Sequence, residues 1–177
     1  MKKLLVHADG STQGNPGEAA VGVVIADGYG HRIKEFAETI GYTTNNVAEY
    51  KALIAGCRAA LSYQPEEIVL FTDSQLVARQ VNGTYDIRDP SLRNLKLELV
   101  SLLERVPRWR VQHVEREANR DAHRIAKRAI LEERRTQLEE ARLGRELIQR
   151  IEYRLQELSN EQKEKVLDYI NRLVIEG

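Results

Sequence analysis

The 177-residue sequence contains one cysteine, one tryptophan and four prolines, and it has no long run of apolar residues. A single cysteine, Cys57, excludes an intramolecular disulfide and a zinc site built from several cysteines. Because Cys57 lies in an apolar stretch, we interpret it as a small core residue. No stretch approaches the roughly 18 apolar residues of a membrane span, and the N-terminal residues turn polar too soon for a signal peptide. We therefore expect a cytoplasmic protein with no membrane partner.

An excess of charge of one sign is also missing. Lys and Arg number 27, Asp and Glu number 27, and the formal net charge is zero. This balance argues against nucleic acid as a partner, since phosphate binding usually requires a basic surface. The charge is uneven along the chain, however, because residues 105–128 carry eight basic and three acidic side chains. This basic segment is either an ordinary solvated helix face or a local contact for phosphate.

The pattern of residues changes near position 130. Residues 1–130 contain all four prolines and predict the element order βββαβααβα, with strands at about 4–9, 20–25, 32–40, 66–72 and 108–114. Three successive strands with short links predict an antiparallel meander, and strands that follow helical crossovers add in parallel. We therefore expect an α/β fold, in which a five-stranded mixed sheet is flanked by helices in one domain spanning 1–130.

Residues 131–177 predict a helical tail without proline. Leu147, Ile151, Leu155 and Leu158 form an apolar helical stripe, and the segment Ser159–Gln162 resembles a capping box that starts a second helix. Two amphipathic helices joined near Ser159 suggest a helical hairpin. The hairpin either packs on the first domain or pairs with a second copy of the chain, and we favour a homodimer.

Two acidic residues follow apolar strand segments. Asp9 and Asp73 each come directly after such a segment, and each precedes small polar residues. A carboxylate at the end of a core strand cannot ionise cheaply without a partner. If the two strands are neighbours, the pair provides hard oxygen ligands for Mg²⁺ or Mn²⁺. The alternative is that each acid only caps the turn or helix that follows it.

Two further segments contain residue types that contact ligands through the backbone. The segment from Asp9 to Gly17 is rich in glycine, which lets backbone N–H groups approach a ligand, although a plain tight turn is the alternative. Asn45 or Asn46 can cap the helix that follows, and short polar side chains at such a helix N-terminus can accept phosphate. Glu49 lies one turn inside that helix.

Four motifs occur in order over about 125 residues: DGSTQGNPG at 9–17, TNNVAEY at 44–50, TDSQ at 72–75 and REANRDAHRIA at 116–126. Their order and spacing resemble type 1 ribonuclease H. Several members of that family carry a basic protrusion between the middle helices. Here the corresponding segment, 81–90, is short and has two acids and one base. The chain therefore resembles the compact bacterial and archaeal members.

The resemblance implies an RNase H-like fold and an endonuclease that cuts the RNA strand of RNA·DNA hybrids. It implies two Mg²⁺ or Mn²⁺ ions at the site and products with 5′-phosphate and 3′-hydroxyl ends. Asp9, Glu49 and Asp73 match three of the family's four metal-binding carboxylates. The positions that match hybrid contacts are Gly14, Asn15, Thr44, Asn45, Asn46 and Gln75. Two alternatives stay open: a non-catalytic nucleic-acid-binding protein on the same fold, and a nuclease that also acts on double-stranded RNA.

The sequence departs from the family at the fourth ligand. His123 stands at the usual aspartate position, and Asp121 lies two residues earlier, about 200° away around a helix. We predict that His123 is the fourth catalytic ligand, that activity is retained and that Mn²⁺ is favoured. The alternative is a His123 that only faces solvent. His113, at the end of a strand, is either a proton shuttle or a structural residue.

Overall fold

A computed structural model describes residues 2–176, and the chain divides into two compact units between Glu133 and Arg134. The elements in chain order are β1 (Lys3–Gly14), β2 (Gly17–Asp27), β3 (Arg32–Thr43), α1 (Asn45–Leu61), β4 (Glu67–Thr72), α2 (Gln75–Val81), α3 (Pro90–Leu103), β5 (Arg108–His113), a 3₁₀ turn (Arg116–Asn119), α4 (Arg120–Gln156) and α5 (Asn160–Glu176). The predicted order of strands and helices is confirmed.

The first unit contains a five-stranded mixed sheet with the strand order β3-β2-β1-β4-β5. The β1–β2 and β2–β3 pairs are antiparallel, and the β1–β4 and β4–β5 pairs are parallel. This arrangement confirms the predicted meander with parallel strands added at one side. The short links between β1, β2 and β3 permit only antiparallel neighbours, whereas β4 and β5 each follow helical crossovers.

The core lies between the sheet and the helices, with α1 packed on β1 and β2. Alternate residues of β1, namely Leu4, Val6 and Ala8, are fully or almost fully buried, as expected for a strand with one face toward the core. Removing this apolar surface from water is the main driving force for the fold. Cys57 is completely buried among these side chains, which confirms its assignment to the core.

Two glycines permit close approaches that matter for the site. A Cβ on Gly10 would lie 2.2 Å from the backbone of Ala48 and Glu49, so only glycine lets β1 meet α1 at this point. A Cβ on Gly22 would lie 2.1 Å from the carbonyl oxygen of Ala122 at the start of α4. Gly22 pairs with Asp9 in the sheet, and the first turn of α4 therefore passes close to Asp9.

The predicted glycine-rich loop is wrong. Strand β1 continues to Gly14 and pairs with β2 down to Gly14 and Gly17, which leaves Asn15 and Pro16 as a tight turn. Asp9 therefore lies inside β1 and not at its end. The sequence predicted a loop here because glycine and small polar residues interrupt the apolar pattern of the strand. The backbone N–H and C=O groups of these residues nevertheless form hydrogen bonds with β2 in the antiparallel pair.

The caps of two helices also differ from expectation. Thr44, and not Asn45 or Asn46, is the N-cap residue of α1, and its side chain makes no capping hydrogen bond. Ser74 caps α2, where its side chain accepts a hydrogen bond from the backbone N–H of Val77. Asp73 is therefore not the N-cap residue of α2, contrary to the alternative that it caps this helix.

The second unit contains the later part of α4 and helix α5. The predicted capping box at the start of α5 is confirmed: the Ser159 N–H donates to Gln162 Oε1 at 2.8 Å, and the Gln162 N–H donates to Ser159 Oγ at 3.3 Å. Apolar side chains of both helices are exposed, with Leu147 at 54%, Ile151 at 44% and Leu173 at 53%. The hairpin stays a prediction. Within residues 2–176, no helix is long and apolar enough to cross a membrane.

Candidate active site

Three carboxylates meet at one place in the first unit. Asp9 comes from β1, Glu49 from α1 and Asp73 from the residue after β4, and one carboxylate oxygen of each lies within 4.8 Å of the others. Asp9 and Glu49 are 2% and 6% exposed. Three carboxylates this close, two of them buried, repel one another unless a proton or a cation neutralises them.

The fold explains how the three side chains converge. Strands β1 and β4 are parallel neighbours, so Asp9 and Asp73 lie toward the same edge of the sheet. The close contact of Gly10 with α1 adds Glu49, whose Oε2 accepts from the Gly10 N–H and from Thr72 Oγ1, each at 3.4 Å. Gly10 and Thr72, which lie 39 and 23 positions from Glu49 in the sequence, thus hold its carboxylate in place.

Burial and mutual repulsion raise the pKa values of two of the acids. Loss of solvation, together with the Asp73 charge, raises the pKa of Asp9 to about 6. Loss of solvation, followed by the charges of Asp9 and Asp73, raises the pKa of Glu49 to about 9. A divalent cation would compensate the same charges, and carboxylate oxygens are the ligands that hard cations prefer. The donor set therefore fits a divalent metal ion.

His123 lies beside the acid cluster. Its Nδ1 is 3.1 Å from Asp9 Oδ2, and its Nε2 is 2.8 Å from a guanidinium nitrogen of Arg116. Because a guanidinium can only donate, Nε2 must accept, and the ring proton of a neutral imidazole then lies on Nδ1 and points to Asp9. Metal ligation by Nδ1 requires loss or transfer of that proton, so the role of His123 as a ligand stays a prediction.

The structure does not bring Asp121 to the cluster. Its carboxylate pairs with Arg32 and lies 3.7 Å from Arg124, as expected for a helix face that points away from His123. His113 is exposed at the end of β5, where it pairs in register with Thr72. A proton-shuttle role for His113 stays a prediction.

The residues matched to hybrid contacts fall into two groups. Asn15 and Asn45 meet, because the Asn45 N–H donates to Asn15 Oδ1 at 3.1 Å and Thr12 Oγ1 donates to Asn45 Oδ1 at 3.4 Å. The β1–β2 turn, with Gly14, and the start of α1, with Thr44 and Asn46, thus form one polar surface. Gln75 is exposed on a different element, as the first residue of α2.

Sequence reasoning missed several residues of the cleft that holds the acids. The cleft has a volume of about 250 Å³ and is lined by Asp9, Gly10, Ser11, Thr12, Asn45, Glu49, Asp73, Arg116, His123 and Lys127. The two cations, Arg116 and Lys127, belong to the basic segment 105–128. Arg116 also opens the fourth motif, whereas the net charge of that segment was the only signal for Lys127. Neither signal indicated which of the eight bases reach the site.

Asn119 belongs to the fourth motif, but sequence reasoning gave it no role at the site. It is 1% exposed, and its Nδ2 donates to the Ala8 carbonyl at 2.9 Å and to Asp73 Oδ1 at 3.2 Å. His7 lies beside it: burial lowers the pKa of His7, and the Asn119 side chain acts in the opposite direction. Asn119 thus connects the two neighbouring strands that carry Asp9 and Asp73.

Comparison with known proteins agrees with the fold. The family model described as reverse transcriptase-like matches residues 7–129. Ribonuclease HI of Halobacterium salinarum is 44% identical over 127 residues, which are 71% of this chain and 64% of that protein. The bifunctional protein Rv2228c of Mycobacterium tuberculosis is 36% identical over 72% of this chain and 35% of its own length. The chain thus spans less than two thirds of these relatives.

Two solved structures are similar to the first unit. The crystal structure of RNase H1 from Halobacterium salinarum has a TM-score of 0.72 at 41% identity and covers 73% of this chain and 98% of that one. The structure of LC11-RNase H1 in complex with an RNA/DNA hybrid has a TM-score of 0.70 at 35% identity, over 73% of this chain and 97% of that one.

The mixed sheet and the carboxylate cluster define a protein with the ribonuclease H-like fold. With the identities and matched lengths above, the chain belongs to the type 1 ribonuclease H family.

Proposed function

We propose that this protein is a divalent-metal-dependent ribonuclease H that hydrolyses the RNA strand of RNA·DNA hybrids endonucleolytically, leaving 5′-phosphate and 3′-hydroxyl ends. The convergence of Asp9, Glu49 and Asp73 within 4.8 Å is the observation that carries this proposal. The similarity to LC11-RNase H1, whose structure contains an RNA/DNA hybrid, supports the choice of substrate.

The side chains of the cleft have separate roles in this proposal. Asp9, Glu49 and Asp73 hold the metal ions, and Thr72 and the Gly10 N–H keep the Glu49 carboxylate in position. Arg116 and Lys127, at the rim of the cleft, bind backbone phosphates. Asn15 and Asn45 offer the amide groups that can hydrogen-bond 2′-hydroxyls, the groups that distinguish RNA from DNA.

The metal is proposed to be two Mg²⁺ or Mn²⁺ ions per site. When bound, such ions lower the pKa of a water molecule and stabilise the charge that develops on the leaving oxygen. We propose that Mn²⁺ is preferred more than at an all-carboxylate site, because a neutral imidazole at position 123 leaves the cluster one negative charge short and suits softer ions better. His123 fills the fourth position in this proposal.

The test is a cleavage assay with end-labelled RNA·DNA hybrid, double-stranded RNA and double-stranded DNA, each with Mg²⁺ or Mn²⁺. We expect metal-dependent cleavage of the RNA strand of the hybrid only. Asp73→Asn is the matched control, since it keeps the shape of the side chain and removes the charge. Failure of the native protein to cleave hybrid with either ion, while it still binds hybrid, would favour the non-catalytic alternative. Cleavage of double-stranded RNA would assign the broader specificity.

We propose further that the second unit associates with a second copy of the chain. The exposed apolar side chains of α4 and α5 form faces that water solvates poorly, and a symmetric pair of copies would bury them. Nine basic and eleven acidic side chains in 131–177 leave this segment nearly neutral, so the repulsion between two copies is weak. Light scattering of the full chain is expected to give a dimer mass, and Ile151→Glu to halve it, whereas Gln149→Glu leaves it unchanged. A monomer mass for the native chain would contradict dimerisation.

The cytoplasmic location stays a prediction.

A further inference from the structure

The sheet face behind the acid cluster contains two buried polar atoms without hydrogen-bond partners. Within the described residues, Nδ1 of His7 and Oδ1 of Asn119 are both buried and have no hydrogen-bond partner within 3.5 Å. Both residues line one cavity of about 220 Å³, together with apolar side chains such as Leu5 and Val24. Buried polar groups are almost always satisfied, so two such atoms in one cavity call for an explanation.

The two atoms are chemically complementary. The amide oxygen of Asn119 can only accept, and the Nδ1 of a neutral imidazole donates when it carries the ring proton. The His7 ring is held in place by stacking on Phe71, with the ring centroids 4.6 Å apart and the planes 21° from parallel. Burial lowers the pKa of His7, and hydrogen bonding with the Asn119 side chain acts in the opposite direction. A direct contact or one bridging water in the cavity would satisfy both atoms.

The other end of the Asn119 amide reaches the acid cluster. Parallel pairing of β1 with β4 runs from Lys3–Glu67 to His7–Phe71. Just beyond it, Asn119 Nδ2 donates to the Ala8 carbonyl and to Asp73 Oδ1. One amide therefore connects the interior of β1, next to Asp9, with Asp73, the residue that follows β4. If the amide rotated by half a turn, its oxygen would face the Asp73 carboxylate and repel it.

We propose that His7 and Asn119 are a positioning pair for Asp73, in which the Nδ1–H of His7 satisfies Asn119 Oδ1 and thereby keeps Asn119 Nδ2 directed at Asp73. This rests on the proposed function only in that Asp73 is taken as a metal ligand. Neither residue touches substrate or metal. Outer-shell partners of this kind fix the direction of a ligating carboxylate and so raise the affinity for the ion.

The first test measures metal affinity and requires no activity. Mn²⁺ binding to the full chain is followed by calorimetry for the native protein and for His7→Phe, which keeps a ring that can stack on Phe71 and removes the donor. We expect Mn²⁺ binding to weaken about tenfold in His7→Phe and more in Asn119→Ala. His7→Gln, whose amide can donate, is expected to restore most of the affinity. Leu5→Val, which alters an apolar lining residue of the same cavity, is the matched control and should bind Mn²⁺ like the native protein.

The second test uses the native protein, so it does not depend on a variant that folds. Long-range ¹H–¹⁵N correlation spectra of the metal-free protein at neutral pH report which ring nitrogen of His7 carries the proton. We expect the Nδ1–H tautomer. The Nε2–H tautomer, or native Mn²⁺ affinity in His7→Phe, would overturn the positioning pair. If the native protein binds Mn²⁺ and loses affinity in His7→Phe but cleaves no hybrid, the proposed activity fails and the positioning pair stands.

Discussion

Nδ1 of His123 lies 3.1 Å from Oδ2 of Asp9, although 114 positions separate the two residues. The contact depends on Gly22, which pairs with Asp9 and admits the first turn of α4. A histidine thus stands where the family usually has an aspartate, and Arg116 contacts its other ring nitrogen. The chemistry of this position is the feature that distinguishes the site from an all-carboxylate one.

The role of His123 predicts how activity depends on the metal. His123→Asp is expected to increase hybrid cleavage in Mg²⁺ relative to Mn²⁺, because a charged oxygen ligand replaces a neutral nitrogen. His123→Ala is expected to lower kcat on the order of tenfold to a hundredfold in both ions. Initial rates in each metal measure this. If both variants behave like the native protein in both ions, His123 is not a metal ligand.

The raised pKa values of the acids predict the pH dependence of stability. The pKa of Glu49 is about 9 in the folded chain and about 4.3 in an unfolded one, so the native state binds more protons between these pH values. The contribution of Glu49 to the free energy of unfolding of the metal-free protein therefore falls as the pH rises through this range. Thermal unfolding from pH 5 to pH 9 is expected to show a decreasing Tm.

Two further measurements check this origin of the pH effect. Glu49→Gln removes the titrating group and is expected to raise the Tm of the metal-free protein at pH 8 and to flatten its pH dependence. Saturating Mn²⁺ should stabilise the native protein most at high pH, where metal ions compete least with protons for the carboxylates. A metal-free Tm that rises from pH 5 to pH 9 would contradict the shifted pKa values.

Because β1 and α1 approach closely at Gly10, we expect the added methyl group of Gly10→Ala to destabilise the fold strongly. A Cβ there would lie 2.2 Å from the backbone of Ala48 and Glu49, so Gly10→Ala must push α1 away from β1. We expect a loss of about 2–3 kcal/mol in the free energy of unfolding and weaker metal binding, since Glu49 moves with the helix. Denaturant unfolding measures the first and calorimetry the second.

Gly144→Ala is the control for that substitution. Gly144 lies inside α4 with no atom within 4 Å of an added Cβ. Alanine there should leave the unfolding of the first unit and the metal affinity unchanged and increase helicity slightly. If the two substitutions lowered the free energy of unfolding equally, the contact between Gly10 and α1 would not be the cause of the destabilisation by Gly10→Ala.

Two cations at the cleft predict a salt-dependent contribution to hybrid binding. Arg116→Ala and Lys127→Ala are each expected to weaken the binding of hybrid. Binding is measured in Ca²⁺ in place of Mg²⁺ or Mn²⁺, so that it is followed separately from cleavage. Each should reduce the slope of log K against log salt concentration by about one, as expected for the loss of one phosphate contact. Arg142→Ala, on an exposed face of α4 in the second unit, is the control. An unchanged slope in both cleft variants would exclude them as phosphate contacts.

Much of the architecture could be predicted because local pattern determines it. Apolar runs such as Ile68–Leu70 predict buried strands, and the short links between the first three strands leave only antiparallel pairing. The motif spacing likewise indicated Asp9, Glu49 and Asp73, which converge as expected. The extension of β1 to Gly14 was missed, because the hydrogen bonds that hold this segment come from β2 and not from its own residues.

The sequence by itself determined the order of elements, the family and the three acids, since these depend on residue type and on spacing along the chain. Only the folded chain shows which of the eight bases in 105–128 reach the cleft and that Asp121 pairs with Arg32. It also shows that Asn119 links Ala8, inside β1, with Asp73, the residue after β4. The physical reason is that these contacts join residues far apart in sequence. The distances between these residues depend on how β1, β4 and α4 pack. At Gly10 and Gly22 the helices can approach the sheet this closely only because glycine has no Cβ atom.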